Sequence, residues 1–174
     1  MTWLVVISIL LSVLGVGLAT WQRKALPESV SALVYDLPKG RQWVWTLWMW
    51  LVGLTAGIPL LEAMEYNPLQ FMAFLMTAAL LFCGAMPLVS NERNIPHYVA
   101  AMAAGAMSQL CVLSLCGVWC LAPWLLLALL FYVALFSSDV VRAEKLFDGL
   151  RRYGVLVAEA VCAAMLYVCL LIVL

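Results

Sequence analysis

Ser90–Leu110 reads SNERNIPHYVAAMAAGAMSQL, a short polar loop that opens directly into a helix of small apolar residues. The loop holds His97, the chain's single histidine, directly after Pro96. On both sides lie long apolar runs broken only by short polar connectors. A helix needs about twenty such residues to cross a bilayer's hydrocarbon core. Repeated along the chain, this alternation decides the fold class: an all-α integral membrane protein.

Composition agrees. Of 174 residues, 67% are hydrophobic and 10% charged, whereas a soluble domain carries about 45–50% and 25%. So few polar side chains cannot cover a surface facing water. Working outward from Ser90–Leu110, we expect a single domain, 1–174, with six spans at about 2–20, 43–61, 69–88, 98–120, 123–138 and 153–174. The first span is followed, not preceded, by its basic residues (Arg23, Lys24), the reverse of a cleavable signal peptide, and reads as a retained anchor.

The connector between the first two spans is the longest. Val30, Leu33, Val34 and Leu37 fall on one helical face between Pro27 and Pro38. The spacing predicts a short amphipathic helix over about 27–37, lying in the headgroup plane with its apolar side down. A lid over a cytoplasmic pocket is the sharper alternative.

Charge orients the bundle. All nine Lys and Arg lie in alternate loops: Arg23, Lys24, Lys39 and Arg41; Arg93; then Arg142, Lys145, Arg151 and Arg152. Cytoplasmic loops carry the excess of Lys and Arg. The expectation is six crossings with both termini on the non-cytoplasmic side, and the short loops fit a bacterial inner membrane. No basic face points to nucleic acid.

Candidate chemistry is sparse. Glu159 is the one charged residue well inside a span, roughly 9 Å deep if the helix enters at Tyr153. An intramembrane carboxylate is a functional candidate by default and needs a partner; His97, Arg93, Arg142 or the hydroxyl of Tyr35 could serve. Ser108 and Gln109 fall near mid-membrane, where an unpaired amide is costly. Trp48, deep in a tryptophan-rich second span, either lines a cavity or faces lipid. Ala101 with Gly105, and Ala104 with Ser108, form small-residue pairs suited to close helix packing.

One histidine excludes multi-histidine zinc or bis-histidine haem sites, and no Walker, dinucleotide or G-x-S-x-G motif occurs. Neither a metal nor a cofactor is expected. The six cysteines all lie in apolar runs without a C-x-x-C pair and read as packing groups.

Three functions fit. The first is a channel or small transporter, as a homo-oligomer, with a polar vestibule lined by Glu159, Gln109, Ser108, Trp48 and Tyr35. The second is an enzyme acting on a lipid or hydrophobic substrate, with Glu92, His97, Asp139 and Glu159 as its catalytic candidates and a membrane-depth groove open to lipid. The third is a scaffold or assembly subunit that uses the small-residue face of the fourth span.

Overall fold

The computed structural model describes residues 1–89, 95–136 and 140–174. Its regular structure there is entirely helical: α1 (Thr2–Arg23), α2 (Gln42–Ala63), α3 (Gln70–Val89), α4 (Ile95–Cys116), α5 (Ala122–Phe136) and α6 (Val140–Val173). Five helical stretches are long and apolar enough to cross a membrane: Thr2–Arg23, Gln42–Ala63, Gln70–Val89, Ile95–Leu130 and Arg152–Val173.

Local chemistry sets the ends. Lys24 stops α1 in the left-handed conformation (φ 55°). Gly117 does the same after α4 at φ 70°, where a side chain would be strained, and a 3₁₀ turn (Gly117–Leu121) leads into α5. Gly149, a residue that disfavours helix, nevertheless lies within α6. A single glycine costs a helix only about 1 kcal/mol, too little to break 34 residues of continuous hydrogen bonding.

Two clusters mark opposite ends of the bundle. One joins Val5 of α1, Leu60 of α2, Met76 of α3, Val112 of α4 and Leu170 of α6. These positions are early in α1 and α3 but late in α2, α4 and α6, so successive helices alternate in direction. Because α4 and α6 both finish at this end, α5 has to return the chain. The side chain of Trp124 reaches back to Gln109, 15 residues earlier; an unbroken helix would hold them about 22 Å apart.

In lipid, apolar burial gives little drive for helix association, so packing and polar contacts carry it. Here many mid-helix polar groups tie two helices, while Thr20, Thr55, Thr77 and Ser108 bond carbonyls of their own helix. Ser8 of α1 bonds the Val52 carbonyl of α2 and the Tyr167 hydroxyl of α6, which also pairs with Ser12. Trp48 donates to the Leu11 carbonyl at 2.8 Å, Thr46 to the Gly84 carbonyl at 2.8 Å, and Trp50 to the Leu81 carbonyl at 2.9 Å. The small-residue face of α4 also packs within the chain: Ala104 and Ser108 are buried, and Gly105 faces Cys162 of α6.

The connector differs from its expected form. In place of an α-helix over 27–37 there is a 3₁₀ turn, Ser31–Asp36. Its apolar side chains, Leu33 and Val34, bury against Trp45 and Met49 of α2. Pro27 is fully buried as well. Tryptophans of α2 give the connector a protein surface to cover, and a six-residue turn follows that surface where a straight helix would overshoot it.

Candidate functional site

The connector is also fastened to α6, by bonds running in both directions. The Leu156 N–H donates to the Glu28 carbonyl at 3.2 Å. The Val30 N–H donates to Oε2 of Glu159 at 2.6 Å. The Ser31 N–H also bonds this carboxylate, while the Ser29 and Ser31 hydroxyls pair at 3.1 Å. Positions 156 and 159 are three apart, so both bonds come from one face of α6. The carboxylate deduced from its depth is therefore present in the bundle, and backbone amides of the connector bind it.

His97 of α4 lies beneath the same connector, only 1% exposed. The Tyr35 ring meets its imidazole edge-on, with centroids 6.0 Å apart at 74°. Cys83 of α3 places its sulfur 3.7 Å from Nδ1 and 3.9 Å from Nε2. That thiol is also within electrostatic range of Glu159. Pro87, one turn on, has no N–H to give the Cys83 carbonyl its helical bond.

Trp45 packs under the connector beside Leu33 and Val34. It is 5% exposed and meets the Trp48 ring at a 45° tilt, with centroids 4.9 Å apart. Its indole Nε1 is the one buried side-chain polar atom among the described residues that has no hydrogen-bond partner. The result is a buried cluster at one end of the bundle: His97 meets Tyr35 and Cys83, Glu159 is held by the connector's amides, and Trp45 packs against Leu33 and Val34.

The expected site residues thus separate into two groups. Glu159, His97 and Tyr35 come together. Glu92, Arg93 and Asp139 lie outside the described residues. Gln109 and Ser108 are engaged elsewhere in the bundle, while Trp48 packs against the connector's cluster and spends its indole N–H on the Leu11 carbonyl. The Gln109 amide donates to the Ser108 hydroxyl and the Cys162 carbonyl, and accepts the Trp124 indole N–H at 2.9 Å. Ser108 in turn donates to the Gly105 carbonyl.

Sequence reasoning missed Cys83, Trp45 and the amides of Val30 and Ser31. A backbone donor leaves no mark in a sequence, and Cys83 is one of six cysteines in apolar surroundings. An apolar surface groove of about 500 Å³ runs between α3 and α4, past Ala79, Phe82, Pro96, Ala100 and Ala103. Pro96 adjoins His97, and Ala100 lies one turn beyond it.

Among the described residues, no three His, Cys, Asp or Glu side chains are grouped to hold a metal ion. No protein-family model, curated protein or solved structure matches this chain.

Proposed function

We propose that this is a six-crossing membrane enzyme that acts on the polar end of a lipid or similar amphiphile. Glu159 and His97 would supply its acid–base chemistry at the cytoplasmic end. The observation that carries the reading is that Glu159, Cys83, His97 and Tyr35 are gathered beneath one connector, while polar groups elsewhere among the described helices join helices or bond carbonyls of their own helix.

A channel needs a continuous polar path. Gln109, Ser108, Trp48, Ser8 and Tyr167, its natural lining, are committed to one another or to backbone carbonyls. An enzyme working on a membrane substrate needs only a chamber at headgroup depth, with access for an apolar chain. The groove beside Pro96 and Ala100 supports that access. A histidine with a carboxylate nearby is a common acid–base unit, provided a reacting group comes within hydrogen-bond reach. The connector would act as a lid, since the substrate's polar end and the Val30 amide compete for the same carboxylate.

The sixth crossing rests on α5. It is 15 residues long, about 22 Å, and it must run from the end shared by Val112 and Leu170 back towards the start of α6. With the basic loops inside, both termini face away from the cytoplasm, and the end that carries Glu159 and His97 faces inward.

The test is incubation of the purified protein, in vesicles of a bacterial total lipid extract, with lipid mass spectrometry before and after. The reading expects one lipid class to be converted by the wild type and left intact by Glu159→Gln and His97→Gln. Identical lipid profiles for all three proteins, alongside a solute flux that Glu159→Gln alters, would return the assignment to a transporter.

A further inference from the structure

The other end of the bundle carries a second group of reactive side chains. Cys116, at the last turn of α4, and Cys169, near the end of α6, are 53 residues apart in sequence, yet their sulfurs lie 2.7 Å apart. Cys120, in the turn after α4, is close enough to both to interact electrostatically. Cys83 and Cys162 belong elsewhere, beside Glu159. Cys169 is buried, whereas Cys116 and Cys120 are partly exposed.

We propose that Cys116 and Cys169 are a dithiol–disulfide site, oxidised by exchange with an external disulfide and stapling α4 to α6 around the α5 return. A disulfide bond is about 2.05 Å long, so closure moves the sulfurs by roughly 0.7 Å. The partly exposed thiol, Cys116, attacks as its thiolate. It displaces one external thiol, which takes up the proton that Cys116 released. The Cys169 sulfur then attacks Cys116 in the mixed disulfide, expelling the second external thiol, which receives the Cys169 proton. Two cysteines are oxidised and one external disulfide is reduced to two thiols. The orientation proposed above supplies only the compartment: this end faces the oxidising, non-cytoplasmic side.

The experiment treats the purified full chain with oxidised glutathione, caps remaining thiols with N-ethylmaleimide under denaturing conditions, and maps peptides without reduction. We expect a cross-linked peptide joining Cys116 to Cys169, and four capped cysteines of the six present. The link should vanish in Cys116→Ser and in Cys169→Ser and persist in Cys83→Ser. Six capped cysteines in the oxidised wild type, or a link from Cys169 to Cys120 or Cys111 in place of Cys116, would overturn the proposal without recourse to any variant. The same mapping on cells quenched in acid tests the orientation separately. A pair that oxidises in solution but is fully reduced in cells counts against the proposed topology, not against the site.

Discussion

Oε2 of Glu159 accepts the backbone N–H of Val30 at 2.6 Å, joining residues 129 positions apart. A membrane carboxylate usually finds a side-chain cation or a water path. Here it binds main-chain amides at the start of the connector's 3₁₀ turn, where no preceding turn supplies an acceptor. The bond serves both partners: the connector gains an acceptor for its donors, and the largely buried carboxylate gains donors.

Removing that acceptor should loosen the roof. Glu159→Ala leaves the Val30 N–H without its partner, and an orphaned buried donor costs about 1–3 kcal/mol. Glu159→Gln keeps a carbonyl oxygen and should recover part of the loss. Hydrogen exchange of the 28–37 backbone reports it directly, with Ala fastest, Gln intermediate and wild type slowest. Equal exchange in all three would mean that the carboxylate does not hold the connector.

Trp45→Phe provides the opposite case. The ring stays apolar and aromatic, and the removed N–H makes no bond, so the loss of a stranded donor should offset the smaller ring. We expect thermal stability within about 0.5 kcal/mol of wild type, the range of substitutions that break no named interaction. Lipid conversion should fall if the indole meets the substrate. A loss of more than about 2 kcal/mol would show that the N–H has a structural partner.

The Gln109–Trp124 bond ties the α5 return to α4 in the middle of the bundle. A double-mutant cycle with Gln109→Leu and Trp124→Phe, followed by unfolding in detergent, should give a coupling of about 0.6–1.7 kcal/mol, as for other interhelical hydrogen bonds in membranes. Additive effects would separate the two side chains and with them the reversal of the chain at α5.

Two glycines should behave oppositely. A methyl group at Gly57 would collide with the Cβ, Oγ1 and Cγ2 atoms of Thr77 where α2 crosses α3, whereas Gly17 has open space around it. Gly57→Ala should therefore destabilise by about 1–3 kcal/mol, the usual cost of overpacking. Gly17→Ala should be neutral or gain up to about 1 kcal/mol from helix propensity. Thermal melts of the two variants, side by side, settle the pair.

Much was legible in the chain alone because apolar length and charge position are one-dimensional quantities. Bilayer thickness fixes how long an apolar run must be, and against six expected spans five helical stretches reach that length, the expected fourth and fifth falling together in Ile95–Leu130. Glu159 stood out for the same reason: its depth can be counted along a helix. What depended on three-dimensional packing was which groups meet. Val30 and Glu159, Cys83 and His97, and Cys116 and Cys169 are distant in sequence and meet only because the helices alternate in direction. The connector shows the difference most plainly. Its apolar spacing described a helix lying on lipid, but folding set the buried Trp45 and the partly buried Trp48 of α2 beneath it, and a 3₁₀ turn packed on protein took the place of that helix. Periodicity records which side of a segment is apolar, and only the tertiary structure decides whether lipid or another helix receives it.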